Sequence, residues 1–289
     1  MSELISNKFK EWEKICNERF EKLRENEEKL NRFFIDLYGI DNEISPEVDD
    51  RDITVRRAEL QREIKSLISY AVGCFFGRYS LDTEGLCFAG GDWDASLYST
   101  IIPCSDNILE INSAESGLAA ELTRFIGTVY GDDTLEENLS FIAEALGGSG
   151  DPRSTVFRYL QKGFFADHTR IYKKRPIYWQ FSSGSKGAFR ALMYIHRYDS
   201  DQLTRLENDH ALPHYEQLKN ELRTLNESYR NASGTERASL RRSISRMQAV
   251  ITEMDGFLYR LHELAGQNIS LDLDDGVKAN YEKLRDILE

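Results

Sequence analysis

Apolar side chains recur every three to four residues along three long stretches of this sequence, and that spacing limits the chain to a mainly helical fold. The stretches are 3–38, about 53–79 and 201 to about 265. Small and polar residues at 231–234 interrupt the third, which predicts two antiparallel helices joined as a hairpin. Gly39 supplies a C-terminal stop for the first helix.

Shorter elements are predicted between and after these stretches. Helices are expected at 117–130, 134–146, 152–161, in a turn or two up to Tyr172, and at 277–288. Pro176 and the turn at 182–185 predict a small β element around 176–195, with strands at 177–181 and 189–195, although the second also fits a helix. A further short strand is expected at Ile101–Pro103. The predicted fold class is mainly α (long helices, a helical hairpin and a bundle) with this small β element.

The charge balance reverses in the middle of the chain. Residues 1–150 hold 15 Lys/Arg against 30 Asp/Glu, residues 151–200 hold 10 against 3, and residues 201–289 hold 12 against 16, for a net charge of −12. We call 151–200 the basic island. A cation-lined surface attracts phosphate, so the island predicts a local nucleic-acid surface in a protein too acidic to coat nucleic acid generally.

Cations and aromatic rings alternate within the basic island. Cations hold phosphates, and flat rings stack on bases. The candidate DNA-binding residues are Lys173, Lys174, Arg175, Trp179, Lys186, Arg190 and Arg197. The competing interpretation is that Tyr178, Phe181 and Phe189 are core residues of two short strands and that the cations form their solvated rim.

Three other patterns have weaker functional interpretations. The arginines at 237, 241, 242 and 246 could track a phosphate backbone from one helix, although such clusters are more often solvated faces. The loop 184–187 is glycine-rich enough to hold a phosphate through backbone amides, but it lacks the full P-loop pattern. His210 and His214 have the spacing of metal ligands, yet surface histidines near a helix start are the better interpretation.

Catalytic motifs are absent from the sequence. The five prolines are never adjacent, so the Pro-Pro motif of DNA amino-methyltransferases is missing, as are a nucleotide-binding glycine loop and a Gly-x-Ser-x-Gly elbow. We therefore expect no catalytic, cofactor-binding or metal-ligating residue in this chain. Four cysteines without paired spacing suit free thiols in a cytoplasmic protein, and no apolar run approaches the roughly 18 residues of a membrane span.

Several runs resemble the C-terminal part of the PglX family, the adenine-specific DNA methyltransferases of BREX (bacteriophage exclusion) systems. The runs lie at 31–48, 68–82, 171–184, 191–199 and 273–284. The resemblance implies that the catalytic and S-adenosylmethionine-binding motifs lie in an upstream core, and that this chain is a piece of such a protein. It further implies a helical connector (1–80), a mixed α/β target-recognition region (81–200), and a C-terminal helical hairpin with a closing helix (201–289).

Two functions are consistent with these features. The first is a non-catalytic target-recognition region that contacts duplex DNA, with loops at 82–116 or 182–187 reaching base edges. The alternative is a helical module that docks the methyltransferase core or other BREX proteins, with the basic island serving a structural role. No membrane partner is expected.

Overall fold

The computed structural model describes residues 3–289, which form two compact units. One unit combines the chain up to Leu67 with Ile126–Pro152, and the other combines Ile68–Phe125 with Arg153–Glu289. Helices dominate, and a small antiparallel sheet lies in the second unit. The predicted fold class is confirmed, and the predicted three-part division of the chain stays a prediction.

The predicted helices are present, several with shifted ends. Their bounds are α1 Ile5–Tyr38, α2 Leu60–Phe75, α3 Gly117–Tyr130, α4 Leu135–Ala145, α5 Pro152–Lys162, α6 Phe164–Ile171, α7 Gln202–Arg205, α8 Leu212–Asn231, α9 Gly234–Ala265 and α10 Val277–Leu284. α2 is shorter at both ends than the apolar pattern suggested. At its C-terminus Gly77 takes a left-handed φ of 76°, which ends a helix without the penalty a Cβ would carry.

Both ends of α1 have partners in the first unit. The backbone amide of Ile5 donates to Oδ1 of buried Asn138 on α4, at 2.8 Å, which satisfies one of the free amides of the first helical turn. At the other end Gly39 adopts φ 66° as predicted, and the amide of Ile40 donates to the carbonyl of Ile35. Between them the guanidinium of Arg57 lies over the ring of Phe20 at 4.0 Å.

The second unit contains a three-stranded sheet in the order β1-β3-β2, with β1 at Ile108–Glu110, β2 at Tyr178–Ser182 and β3 at Arg190–Tyr194. All neighbours are antiparallel. The two strands predicted around 176–195 are confirmed. The strand predicted at Ile101–Pro103 is wrong: Pro103 has no amide to give to a sheet ladder, and the strand forms at β1 instead.

Aromatic side chains of β2 and of the loop that joins β2 to β3 fill the core of this unit. Tyr178, Phe181 and Phe189 are fully buried, and the Tyr178 ring stacks on Phe76 of the segment after α2, with 5.5 Å between centroids. The interpretation of these three aromatics as core residues is confirmed. The last residue of the chain extends the edge of β2, where the amide of Glu289 donates to the carbonyl of Gln180.

The predicted helical hairpin is also confirmed. α7 continues through a π-helical segment at Leu206–Ala211 into α8, and α9 returns antiparallel after the break at 232–233. Near the sheet, Met254, Phe257 and Leu261 of α9 are completely buried. Towards the joined ends of α8 and α9 the facing apolar side chains are only partly covered. Across residues 3–289, no helix combines the length and the apolar character needed to cross a bilayer.

Candidate nucleic-acid interface

The first group of candidate cations lies in the turn that joins α6 to β2. Lys173, Lys174 and Arg175 are all exposed, and none of them forms an ion pair within the described residues. Their backbone amides are used locally: Lys174 donates to the carbonyl of Thr169 at 2.8 Å and Arg175 to that of Tyr172 at 2.9 Å. The turn is therefore held by its backbone, and its three charged ends are free to contact a ligand.

Two consecutive lysines in this turn adopt a left-handed backbone conformation. Lys173 has φ 51° and Lys174 has φ 63°, a region that residues with a Cβ rarely occupy. Each such residue costs on the order of 1 kcal/mol or more, so the surrounding contacts must hold them there. Backbone outliers of this kind concentrate at functional sites, which supports a role for the turn beyond connecting two elements.

Trp179 cannot serve as a stacking platform for a base. The side chain is 1% exposed, its Nε1 donates to the carbonyl of Pro176 at 3.2 Å, and its ring meets Tyr281 edge-on at 5.8 Å. Trp179 lies on β2, an edge strand of the sheet, where Tyr281 of α10 packs against its ring. The prediction that its ring contacts DNA is therefore corrected: Trp179 is a core residue.

Arg190 and Arg197 are mainly tied to their own protein. The Arg190 side chain is 17% exposed and its Nε lies 3.7 Å from the carboxylate of Glu289. The Arg197 guanidinium donates from Nη1 to the carbonyl of Cys104 at 2.8 Å and from Nη2 to that of Ser105 at 3.2 Å, and it lies over the ring of Trp93 at 4.4 Å. Arg197 thus anchors the loop before β1, which leaves little of its donor capacity for a phosphate.

The glycine-rich loop between β2 and β3 already holds an anion, the carboxylate of Glu253 from α9. Glu253 accepts from the amides of Lys186 (2.7 Å) and Ala188 (3.1 Å) and from the hydroxyl of Ser183 (2.9 Å). Gly184 has φ 134°, and a Cβ there would press on the same carboxylate. The loop has the anion-binding backbone that the phosphate interpretation requires, but the Glu253 side chain already occupies that position. Only the exposed ammonium of Lys186 extends outward.

The structure does not gather the seven candidates into one patch. The turn at 173–175 precedes β2 and Lys186 follows it, so the two lie at opposite ends of a five-residue strand. At about 3.3 Å per residue that separation is at least about 13 Å. The four exposed candidates are the cations at 173–175 and Lys186, and they lie in two places. Trp179, Arg190 and Arg197 instead make structural contacts within the chain.

An open pocket of about 590 Å³ adjoins Arg197. Its walls include Phe88, Trp93, Tyr98 and Ile102, and its charged residues are Arg197, Arg205 and Asp199. Trp93 stacks on Tyr98 with 4.9 Å between centroids, which fixes the aromatic wall. The sequence marked this region only as an irregular loop, because its aromatic residues have neither helical nor strand spacing.

The arginines of α9 form a second exposed set of cations. Arg237, Arg241, Arg242 and Arg246 are all exposed, and across the described part of the chain no carboxylate pairs with any of them. Arg237 lies over the ring of Tyr229 at 4.7 Å, which fixes its stem while leaving its charge at the surface. Residues 223–246 hold six arginines against two glutamates, a local net charge of +4 at the joined ends of the hairpin.

His210 lies between two carboxylates in a half-buried charge cluster. Its Nε2 donates to Asp106 at 2.6 Å and its Nδ1 to Glu110 at 2.8 Å, which links the π-helical segment to the two ends of β1. Burial opposes the charge, but these hydrogen bonds outweigh it and raise the pKa of His210 to about 9. The interpretation of His210 as a surface histidine was wrong. Among residues 3–289, no group of three His, Cys, Asp or Glu side chains is arranged to hold a metal ion.

The chain as a whole is similar in sequence to known proteins. Over 283 residues the chain is 43% identical to the adenine-specific methyltransferase PglX of Lacticaseibacillus casei (strain Zhang). The chain is similar to PglX. It is also 40% identical, over 242 residues, to the adenine-specific methyltransferase BrxX of Escherichia coli O9:H4 (strain HS). The resemblance predicted from the short runs is confirmed.

The match covers most of this chain and a minor part of each relative. It spans 95% of this chain and 24% of PglX, and 78% of this chain and 20% of BrxX. The chain therefore spans about a fifth to a quarter of the length of the curated relatives it matches, and its similarity is to one part of such a protein. No model of a protein family matches the chain.

A nucleotide-type cofactor needs a particular local architecture. Such cofactors bind where a strand of a parallel sheet turns into a helix through a glycine-rich loop. The three strands described here are antiparallel, and the glycine loop of the β2–β3 hairpin is filled by Glu253. The strands and the glycine loop of the described residues therefore lack the local geometry that binds such a cofactor.

Proposed function

We propose that this chain is the non-catalytic, C-terminal DNA target-recognition part of a BREX-type adenine-specific DNA methyltransferase. The observation that carries the proposal is the 43% identity to PglX across nearly the whole chain, since an adenine-specific methyltransferase must hold DNA. Catalysis and S-adenosylmethionine binding then belong to the methyltransferase core, outside the part that this chain matches.

Phosphate contacts come from the exposed, unpaired cations. In this proposal the turn at 173–175 and Lys186 contact one stretch of backbone from the two ends of the β2–β3 hairpin. The arginines of α9 supply a second set of contacts. The chain has a net charge of −12, so these clusters also set the orientation in which it approaches DNA. Phosphate contacts set position and orientation rather than sequence preference.

Base reading is assigned to the segment at 82–116 around β1, which holds seven Asp/Glu and no Lys/Arg, so the cation clusters must hold the phosphates while polar side chains of this segment reach the bases. Sequence is read by side chains that reach base edges in a groove, and loops held by a rigid scaffold suit that task. Arg197 anchors this segment through the carbonyls of Cys104 and Ser105. The loop at 182–187 is less suited, because Glu253 already binds its backbone amides.

The test is binding of the 289-residue chain to duplex DNA between about 50 and 200 mM salt. Each phosphate contact contributes about −0.9 to the log–log slope, so the triple variant K173A/K174A/R175A is expected to flatten the slope by up to about 2.7 units. The quadruple alanine variant of Arg237, Arg241, Arg242 and Arg246 tests the second set in the same way.

The matched control is K10A/K14A/K22A, which removes three exposed lysines of α1. Its slope should stay within experimental error of the unaltered chain. If both cation variants bind with an unchanged slope, the assignment of these residues is overturned. If the unaltered chain fails to bind at about 50 mM salt, DNA binding by this part is overturned.

A further inference from the structure

The second half of α1 exposes a continuous set of large apolar side chains. Between 21 and 38 only Ile35 is buried. Five apolar residues in the same turns are exposed to between 43% and 69%: Leu30, Phe33, Phe34, Leu37 and Tyr38. We call these five residues the α1 apolar face.

The five residues form one surface rather than a scatter. At about 100° per residue they lie within an arc of about 140° on the helix, with the i, i+3, i+4 and i+7 spacing of helices that bind a groove. The rings of Phe33 and Phe34 meet edge-on at 5.4 Å, and those of Phe34 and Tyr38 stack at 6.3 Å. Ile44, 55% exposed, follows within six residues of the end of the helix.

The exposed area of the α1 apolar face indicates that a partner covers it. Single exposed apolar residues are ordinary, but a contiguous aromatic and aliphatic face marks an interaction surface. Most helical stability in proteins comes from packing an apolar face, and this half of α1 buries only Ile35.

Local charge indicates which class of partner fits. Residues 25–43 hold six Asp/Glu against two Lys/Arg, a net charge of −4 around the α1 apolar face. Such a rim repels nucleic acid and anionic membrane surfaces. It complements a protein surface with an apolar groove and a basic edge.

The match to PglX indicates one candidate partner, the part of such a protein that this chain does not match. This chain matches 24% of PglX, so about three quarters of that relative is polypeptide outside the matched part. We propose that the α1 apolar face docks onto the methyltransferase portion of the same PglX-like protein, in an apolar groove edged by basic residues. The inference rests on the proposed function in naming that partner, and it uses residues separate from the proposed DNA contacts.

The experiment mixes the 289-residue chain with the remainder of the Lacticaseibacillus casei relative, expressed separately and confirmed as folded by circular dichroism, and measures binding by calorimetry. The test variant F33S/L37S/Y38S removes three side chains of the face. We expect it to weaken binding by about 50-fold or more, because a few large side chains carry most of the binding energy of an interface and this variant removes three of them. The control R32S/D36S alters the opposite side of the same helical turns and should change affinity less than about threefold.

Three measurements separate the outcomes. Circular dichroism of both variants should match the unaltered chain, because these side chains are exposed. If the test variant binds the remainder as well as the control does, or if the unaltered chain does not bind it, the proposal is overturned. If sedimentation shows a self-association that F33S/L37S/Y38S abolishes, the face pairs two copies instead. F33S/L37S/Y38S should bind duplex DNA as the unaltered chain does. A failure of the docking proposal can therefore be told apart from a failure of the proposed function.

Discussion

The carboxylate of Glu253, near the middle of α9, accepts a hydrogen bond from the backbone amide of Lys186 at 2.7 Å. With the amide of Ala188 and the hydroxyl of Ser183, this contact fixes the β2–β3 loop against the helical hairpin. Burial opposes ionisation of Glu253, but the hydrogen bonds it accepts outweigh burial and lower its pKa. One carboxylate thus connects the sheet to the hairpin within the second unit.

Replacing Glu253 with alanine should lower the free energy of unfolding by about 2–4 kcal/mol. Two backbone amides and a hydroxyl would lose a charged acceptor, and the part-buried Ala188 amide and Ser183 hydroxyl would be costly to leave unpaired. Urea unfolding followed by circular dichroism measures the loss. E263A is the control, since Glu263 is an exposed residue of the same helix, and it should change stability by less than about 0.5 kcal/mol. Equal effects of the two variants would contradict the structural role of Glu253.

The His210 cluster predicts a loss of stability in alkali. The folded pKa of His210 is about 9 against an ordinary value of 6.5, so its contribution is complete below about pH 6.5 and is lost as the pH rises through 9. Asp106 and Glu110, which face it, both have lowered pKa values: burial opposes their charge, but hydrogen bonds from His210 outweigh that effect. Their contributions are lost only in acid.

Unfolding free energies at pH 6.5 and 9.5 test this prediction. The unaltered chain should lose on the order of 2–3 kcal/mol across that range through this site, and H210Q should lose much less. His262 offers a control, because its side chain is 75% exposed in its pair with Glu207. H262Q should retain the pH dependence of the unaltered chain. A pH dependence that survives in H210Q would refute the assignment.

His168 predicts a loss of stability as the pH falls into mild acid, whereas the His210 cluster predicts a loss as the pH rises. His168 is buried, and its Nε2 accepts from the amides of Ile177 and Tyr178, both at 3.1 Å. Burial, followed by the positive charge of Arg78, lowers its pKa to about 4. The stability that depends on neutral His168 is therefore present above about pH 6.5 and is lost as the pH falls towards 4.

The variant H168Q keeps an acceptor but cannot titrate. Between pH 6.5 and 4.5 it should lose less stability than the unaltered chain, by a margin on the order of 2 kcal/mol, at the cost of a lower starting value. H210Q should keep the acid-side dependence that H168Q loses. Chemical unfolding at four or five pH values distinguishes the two, and identical profiles for both variants would rule out separate titrations.

Periodicity predicted the elements whose side chains repeat over several turns. The hairpin of α8 and α9 and the strands around 176–195 are examples, because each has enough residues to show a spacing or a turn signal. β1 was missed, since three residues cannot display an alternation. The bounds of α2 were missed because Gly77, rather than the end of the apolar pattern, ends the helix.

The site was less predictable than the fold. Charge located the exposed turn at 173–175, but composition does not tell which aromatic in a basic segment is core, and so Trp179 was misassigned. The pairing of Lys186 with Glu253 joins residues 67 positions apart, and that of His210 with Asp106 joins residues 104 apart. Such contacts depend on how elements pack, which a single sequence does not encode locally.

Two glycines provide a matched test of the aromatic wall beside Arg197. Gly77 and Gly85 both have left-handed φ angles, 76° and 84°, so alanine at either should cost about 1–2 kcal/mol in backbone strain. A Cβ at Gly77 would also overlap the ring of Trp93, whereas a Cβ at Gly85 would meet nothing within 4 Å. G77A should therefore destabilise by at least about 1–3 kcal/mol more than G85A, and shift the fluorescence of Trp93 to the red as the ring is displaced. Equal stability losses with unchanged fluorescence would show that Trp93 does not pack on Gly77.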